Sequence, residues 1–149
     1  MLEVIPVASR EWTEEQQAIV VDGWEKTNRT VPFVDTVEGA QNFLILRNEV
    51  PIGTFVVIPK SENACEIGVR FWEQSMAAGR LMGRGLADLL QHYEYVVARV
   101  YASNSMVRRL LQRAGFVLLR VVKQDGRTVH VYGLRRDDFY RLTEDVSWL

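Results

Sequence analysis

The alternation of apolar and polar residues along the chain predicts strands and helices in a mixed order. Apolar residues recur with the spacing of one helical face over 86–93 and again over 107–114. Short runs rich in β-branched and aromatic residues are typical of strands. These runs lie, in chain order, at 2–7, 43–46, 53–58, 64–72, 95–101, 116–123 and 127–134.

Residues that begin and end secondary structure agree with this pattern. Thr13, followed three residues later by Gln16, has the spacing of a capping box and predicts the start of a first helix. Asn104 is a favoured residue at a helix start, and Gly115 is typical of a helix end. The Asp-Gly pair at 125–126 predicts a two-residue turn between the last two strands.

The segments between these elements are predicted as turns and loops. One loop covers 28–40, and a turn over 48–51 joins two strands into a hairpin. A loop over 73–82 leads into the helix of the 86–93 pattern, which we expect to begin at about Gly85. Residues 135–149 predict a short helical tail.

The order of elements defines the fold class. A strand, a helix and a further strand at 64–101 imply a parallel pair, because a parallel connection needs a crossover. The hairpins on either side imply antiparallel pairs. We therefore expect an α/β fold in one domain over 1–149, with a mixed, mostly antiparallel central sheet of about six to seven strands and helices on both faces.

Composition narrows the class of protein. The chain has 149 residues, 48% of them hydrophobic and 25% charged, which is ordinary for a globular domain. One cysteine and two histidines exclude a disulfide framework and make a metal site hard to build, so we expect no metal. No apolar run approaches the ~20 residues of a membrane helix. We expect a cytoplasmic protein that makes no membrane contact.

One stretch between a predicted strand and a predicted helix points to chemistry. Arg80-Leu81-Met82-Gly83-Arg84-Gly85 places two glycines and two arginines in front of the helix. Glycines allow the backbone to approach a ligand closely. A helix start offers free amides and the positive end of the helix dipole to an anion. This combination favours a pyrophosphate as the ligand.

The R-x-x-G-x-G pattern at 80–85 resembles the acyl-CoA motif of the GNAT superfamily of N-acetyltransferases. Glu66-Ile67-Gly68 is similar to the entry to that family's fourth strand. Asn104, followed eleven residues later by Gly115-Phe116, matches the family's Asn…Gly-Phe signature. The order of strands and helices fits over nearly the whole chain.

The resemblance implies an acetyl-CoA-dependent N-acetyltransferase of the ribosomal-protein type. In this family the fourth and fifth strands diverge, and the pantetheine arm pairs with the backbone of the fourth. Acetyl-CoA would be the co-substrate, and a primary amine would attack its thioester directly. The residues implied in binding acetyl-CoA are Val69, Phe71, Arg80, Leu81, Met82, Gly83, Arg84, Gly85 and Asn104.

The same resemblance suggests residues for the acceptor amine. Glu66 is the candidate base that removes a proton from the amine, and an ion pair with Arg99 is the equally weighted structural alternative. Trp24, Phe33 and His130 are the candidate acceptor-site residues. Many relatives carry a tyrosine as general acid seven residues after the asparagine, but this chain has leucine there.

The sequence leaves several alternatives open. The acceptor could be a protein N-terminus, a lysine, a small amine or a modified base. The formal net charge of −1 argues against a nucleic acid as partner without ruling out a local basic patch. The fold could also serve as a non-catalytic module that binds acyl-CoA or a protein. A homodimer is possible, with 127–134 as the candidate edge strand.

Overall fold

The computed structural model describes residues 2–26, 39–73 and 78–145, in which seven strands and four α-helices occur. The strands are hydrogen-bonded in the order β1-β2-β3-β4-β5-β7-β6. The strands are β1 (Leu2–Pro6), β2 (Gln41–Arg47), β3 (Val50–Pro59), β4 (Ala64–Phe71), β5 (Tyr95–Tyr101), β6 (Val117–Gln124) and β7 (Arg127–Arg135). The helices are α1 (Glu14–Lys26), α2 (Ala78–His92), α3 (Ser105–Arg113) and α4 (Arg136–Asp145), and a 3₁₀ turn covers Val7–Ser9. The predicted fold class, a mixed sheet with helices, is confirmed.

The described residues fall into two compact units. The first unit is drawn from 2–58 and 68–73, and the second from 59–67 and 78–145. The division falls within β4, whose first half belongs to the second unit and whose second half belongs to the first. Each unit is described separately below.

The first unit is built on an antiparallel β1-β2-β3 arrangement. In the pairing of β1 with β2, Leu2 lies opposite Arg47, and in the pairing of β2 with β3, Gln41 lies opposite Val57. The β2–β3 turn consists of Asn48 and Glu49, whose φ angles are +51° and +69°. Two consecutive positive φ angles are typical of the turn that matches strand twist. Both strands are therefore longer than predicted, because only two residues are needed to reverse the chain.

Helix α1 closes the core of the first unit. Its capping box is confirmed: the backbone N–H of Gln16 donates to Oγ1 of Thr13 at 3.0 Å, and the N–H of Thr13 donates to Oε1 of Gln16 at 3.0 Å. Val20 of α1 is buried with Leu44 and Leu46 of β2. The partly buried side chains that pack against these three are Ile5, Val7, Trp12, Trp24 and Trp72.

A close contact between Gly23 and Trp72 brings α1 against the end of β4. A Cβ atom at position 23 would clash with the indole ring, lying 2.5 Å from Cγ and Cε2. Two hydrogen bonds hold Trp72 in place. Its ring Nε1 donates to the carbonyl of Pro51 at 3.1 Å, and its backbone N–H donates to the carbonyl of Ile52 at 3.0 Å. The glycine is therefore required by packing.

The second unit contains the parallel pair and the C-terminal hairpin. The register of β4 with β5 joins Ala64–Ile67 to Tyr95–Ala98 and ends there. Strand β5 pairs antiparallel with β7, which pairs with β6. The β6–β7 turn at 125–126 has φ angles of +53° and +76°, which confirms the predicted Asp-Gly hairpin. The expectation that 127–134 is an edge strand is wrong, because β7 lies between β5 and β6.

The core of the second unit combines strand and helix residues. Its fully buried side chains include Ile67, Leu86, Leu90, Val96, Leu111, Tyr132 and Phe139. Gly133 of β7 lies under the phenol group of Tyr95: a Cβ there would clash with the Tyr95 hydroxyl and lie 2.9 Å from Cδ1 of Leu119. Helix α3 ends as predicted, with Gly115 at φ +99°.

Candidate functional site

The arginine and glycine motif lies inside a helix. Helix α2 begins at Ala78, seven residues before the predicted start at Gly85. The predicted loop over 73–82 is therefore wrong from position 78 onward, and 74–77 lie outside the described residues. The glycine spacing favoured a loop, but the good helix formers among them extend the helix through 78–85.

The longer helix changes which amides could face an anion. Residues inside a helix donate their N–H groups to carbonyls four residues earlier. The free amides of α2 belong to its first turn, which begins at Ala78, and those of Gly83 and Gly85 are used within the helix. The expectation that loop amides over 81–85 hold a ligand is thus corrected: the free donors lie earlier in the chain.

Two glycines of α2 lie beside open space. A Cβ added at Gly79 or at Gly85 would meet no atom within 4 Å. Gly83 is buried and Leu81 is half-buried, whereas the side chain of Met82 lies outside the described residues. The absence of side chains at positions 79 and 85 therefore leaves helix surface that a ligand could approach.

Arg80 and Arg84 lie one turn apart on α2, and both are exposed. Among the described residues, neither takes part in any of the ion pairs or hydrogen bonds of the structure. The positive end of the helix dipole lies at the same end of α2, where it favours anions. These two guanidinium groups remain available to bind an anionic ligand.

Asn104 serves as the N-cap of α3. Its Oδ1 accepts a hydrogen bond from the backbone N–H of Val107 at 3.4 Å. The predicted capping role is confirmed, and the implied contact with acetyl-CoA stays a prediction. Next to it, Arg108 fixes the start of α3: Nη1 donates to the carbonyl of Ala102 at 2.9 Å, and Nε donates to the hydroxyl of Tyr132 at 3.3 Å.

Glu66 is engaged in an ion pair. Nε of Arg99 donates to Oε1 of Glu66 at 2.9 Å, and the side chains are 16% exposed for the glutamate and 42% for the arginine. The pair forms because Glu66 lies opposite Val97 on the parallel neighbour, two residues before Arg99. The alternative of a structural ion pair is therefore confirmed. Within the described part of the chain, Oε2 has no hydrogen-bond partner.

The remaining predicted residues lie in different places. Val69 is half-buried and Phe71 is buried in the first unit. In the same unit Trp24 lies beneath Arg70, whose Cζ is 4.8 Å from the ring centroid. Phe33 lies outside the described residues. The sequence reasoning missed Arg70, and nothing in the strand pattern distinguished it from any other polar residue on β4.

His130 lies in the second unit on β7, directly opposite Val100 of β5. Its Nδ1 is buried and makes no hydrogen bond to any described residue, and its ring centroid is 6.2 Å from that of Tyr132. A buried imidazole nitrogen without a partner is uncommon, because the desolvation of a polar atom is normally compensated. The predicted acceptor role of His130 stays a prediction.

Two cavities are lined by described residues alone. A cavity of about 320 Å³ in the first unit is lined by Val7, Trp12, Gln16, Gln17, Val20, Val21 and Leu44. A second, of about 350 Å³, is lined by Glu94, Tyr95, Arg135, Arg136 and Asp137. None of the predicted site residues lines either cavity.

The described residues contain no cluster suited to a metal ion. None of the helices described has the length and apolar character needed to cross a membrane.

Comparison with known proteins identifies the fold. No protein-family model matches the chain, and no curated protein matches it significantly. Among solved structures, the N-acetyltransferase PseH of Campylobacter jejuni in complex with acetyl coenzyme A is 16% identical, with a TM-score of 0.61, covering 91% of this chain and 99% of that one. The spermidine N-acetyltransferase SpeG of Vibrio cholerae is 12% identical, with a TM-score of 0.69 and coverage of 95% and 98%.

A third similar structure is a GNAT family acetyltransferase from Elizabethkingia anophelis with acetyl-CoA bound. It is 13% identical, with a TM-score of 0.58, covering 90% of this chain and 97% of that one. These identities are low, and the similarity extends over nearly the full length of each chain. The chain has the fold of the GNAT acetyltransferases.

Proposed function

We propose that the chain is an acetyl-CoA-dependent N-acetyltransferase that acts on a primary amine in the cytoplasm. The observation that carries the proposal is the first part of α2. There, Arg80 and Arg84 have no ion pair among the described residues, and Gly79 and Gly85 lie beside open space. Two free cations at the positive end of a helix suit a pyrophosphate.

The residues present fit acetyl-CoA in this role. Arg80 and Arg84 would bind its phosphates, together with the free amides in the first turn of α2. The backbones of Val69 and Phe71 would hold the pantetheine arm, since the β4–β5 register uses only Ala64–Ile67 of β4. Asn104 would add its side-chain amide. Acetyl-CoA supplies an acyl group activated as a thioester.

Glu66 would accept a proton from the attacking amine. An alkyl ammonium must lose a proton before its nitrogen can attack, so a nearby proton acceptor accelerates the reaction. Arg99 engages Oε1 at 2.9 Å, which fixes the orientation of the carboxylate and leaves Oε2 to accept the proton directly or through water. Arg99 is thus a positioning residue in this proposal.

The acceptor is proposed only as a class. SpeG is a spermidine N-acetyltransferase, and a small amine of this kind is one candidate acceptor for this chain. A protein N-terminus, a lysine and an amine on a modified base are the others. Trp24, His130 and Phe33 would line the acceptor site, with the aromatic rings supplying apolar surface for the stem of the amine.

A second candidate function is a module that binds acyl-CoA without turning it over. Two observations favour it. Leu111, at the position where many relatives carry the tyrosine acid, is fully buried in the core. Glu66 has its Oε1 held by Arg99. A module of this kind would need the arginines of α2 and would not need Glu66.

Calorimetric titration with acetyl-CoA tests the binding part of the proposal. Arg80→Gln and Arg84→Gln should each weaken binding by about fivefold, because an exposed charge pair contributes roughly 1 kcal/mol. Arg135→Gln is the matched control, since it removes one exposed arginine from the same unit outside α2. Equal affinities for all four proteins would refute the assignment of α2, and no binding to the wild-type chain would refute both candidate functions.

Turnover of a panel of amines separates the two functions. Glu66→Gln should lower kcat by about 10²- to 10⁴-fold and leave acetyl-CoA affinity unchanged. Glu66→Asp should recover part of the rate, and the acidic limb of the pH–rate profile should disappear in the glutamine variant. An unchanged kcat would exclude Glu66 as the base. Binding of acetyl-CoA without acetylation of any amine would favour the non-catalytic module.

A further inference from the structure

The strands of the second unit differ in exposure between their two faces. On one face, the hydroxyl of Tyr132 in β7 accepts a hydrogen bond from Nε of Arg108 at 3.3 Å, so this face carries helix α3. Ala98 lies opposite Tyr132, and both Ala98 and Val100 of β5 are buried on this face. Successive residues of a strand point to opposite faces. Arg99, between these two, therefore belongs to the other face, and its side chain is 42% exposed.

Glu66 and three arginines share this second face. Glu66 and Arg99 are joined by their ion pair across β4 and β5. Arg99 and Arg120 both lie opposite Val131 of β7, one on each neighbouring strand, and Arg120 follows the break in the β6 register. Arg127 lies four residues before Val131 on the same strand, so it points to the same side. We call the surface formed by Glu66, Arg99, Arg120 and Arg127 the arginine face.

The arginine face has a local excess of positive charge. In the described part of the chain, Glu66 is the one acidic residue at the strand positions of this face, and it balances a single arginine. Arg127 lies over Tyr101, with its Cζ 3.8 Å from the ring centroid. Arg120 is exposed and takes part in none of the ion pairs or hydrogen bonds among the described residues. A fourth arginine of this face, Arg135, ends β7 in a cavity that also holds two acidic residues.

We propose that the acceptor is the amine of an acidic peptide, whose carboxylates bind the arginine face. This inference rests on the proposed function, in which Glu66 accepts the proton of the attacking amine. Arginine binds carboxylates well, because its planar group can donate two parallel hydrogen bonds to one of them. A peptide with its amine at Oε2 of Glu66 would place acidic side chains of its first few residues at Arg120.

The spacing on this face favours a peptide over a small amine. The Cα atoms of Glu66 and Arg120 are three strands and two residues apart, or about 16 Å at ~4.8 Å per strand and ~3.3 Å per residue. An extended peptide covers this distance with about five residues. A single acidic amino acid spans only ~3.5 Å and would reach Arg99 without reaching Arg120.

Charge separates the acidic peptide from two other acceptors. A polyamine is positive along its length, so the arginine face would repel it. A nucleic acid is anionic, but its binding is driven by a general basic excess, and the formal net charge of this chain is −1. A short run of carboxylates is therefore the partner that the local charge favours.

Two matched peptides test the acceptor class, with the full chain and acetyl-CoA. Both have a free N-terminus, and they carry either glutamates or glutamines at the second to fifth positions. The glutamate peptide should have a kcat/KM about tenfold higher at low salt, and the difference should shrink as the salt concentration rises. Equal kcat/KM values for the two peptides would overturn the inference, and so would a preference for spermidine or for free glutamate.

Substitution of Arg120 tests the arginine face itself. Arg120→Gln should raise KM for the glutamate peptide by about fivefold, leave kcat unchanged because position 120 is remote from Glu66, and leave the glutamine peptide unaffected. Arg120→Lys should retain most of the wild-type affinity, because it retains the charge. Arg113→Gln is the matched control, since Arg113 is an exposed arginine on α3, which lies on the opposite face. An unchanged KM in Arg120→Gln, or an equal rise in Arg113→Gln, would show that the arginine face does not bind the peptide.

A binding measurement separates failure of this inference from failure of the proposed function. The glutamate peptide, labelled at its C-terminus, is titrated with the chain and followed by fluorescence anisotropy. If it binds through Arg120 but no amine is acetylated, the proposed function fails and the peptide site stands. If amines are acetylated without any preference for the glutamate peptide, the proposed function stands and this inference fails. A short oligonucleotide that displaces the labelled peptide at a lower concentration than unlabelled peptide does would identify a nucleic acid as the partner and would also refute the inference.

Discussion

Two glycines in helices are predicted to respond in opposite ways to the same substitution. Alanine is favoured over glycine in a helix interior by about 0.8–1.0 kcal/mol. A Cβ at Gly85 would meet no atom within 4 Å, so Gly85→Ala should raise the free energy of unfolding by about that amount. Gly23→Ala is predicted to lower the free energy of unfolding, although the gain in helix propensity is the same.

The magnitude at Gly23 follows from the contact with Trp72. The new methyl group would clash with the indole ring, whose Cγ and Cε2 lie 2.5 Å from the ideal Cβ position. The ring cannot move freely, because two hydrogen bonds of 3.0–3.1 Å hold Trp72 to the carbonyls of Pro51 and Ile52. Overpacking of this kind costs roughly 1–3 kcal/mol. After the helix gain of about 1 kcal/mol, Gly23→Ala should lose up to about 2 kcal/mol.

Thermal and urea unfolding of the two variants against the wild-type protein measure these differences. A change of 1 kcal/mol corresponds to about 2–4 °C for a chain of this length. Gly85→Ala should therefore melt higher by a few degrees, and Gly23→Ala lower. In a Trp72→Ala background the clash is absent, so Gly23→Ala should there be stabilising. A stabilising effect of Gly23→Ala in the wild-type background would refute the packing argument.

Three further predictions concern buried and capping residues. Burial raises the pKa of the Cys65 thiol from 9.0 to about 11, so iodoacetamide at pH 8 should label the unfolded chain and spare the folded one. Because the unfolded chain loses this proton first, stability should fall as the pH rises from 9.0 toward about 11, and urea titrations across this range should detect the loss. Asn104→Ala should cost about 1 kcal/mol in urea unfolding, and Asn104→Ser should restore it; acetyl-CoA affinity lost in both variants would show a role beyond capping. Thr13→Ala should cost a similar amount in urea unfolding, because Oγ1 of Thr13 accepts the backbone N–H of Gln16 in the same way.

Local chemistry made much of the fold predictable. The capping box at Thr13 and Gln16 and the Asp-Gly turn depend on neighbouring residues, and both are confirmed. The β2–β3 turn was placed too broadly, because Asn48 and Glu49 carry no glycine, yet both adopt positive φ. A turn of two such residues is not distinguishable in sequence from the longer loop expected around Pro51.

The candidate site was harder to predict, because its geometry depends on tertiary contacts. The start of α2 was misplaced since Gly83 and Gly85 are typical of loops, while in the folded chain Gly83 is buried within the helix. Glu66 was recognised with both of its possible roles, and the parallel register decides that it meets Arg99. No local pattern indicates that Arg70 lies over Trp24, because that contact joins distant parts of the chain.

The position of the Tyr95 phenol over Gly133 links two sites that are 38 residues apart in the chain. Any side chain at position 133 would occupy the space of the Tyr95 hydroxyl. In a library that varies both positions, alanine or serine at 133 should survive selection for folding only where position 95 carries a smaller residue. The two substitutions should therefore be strongly non-additive, as expected for side chains that share one space. The pair would evolve as a unit, with the change at position 95 coming first.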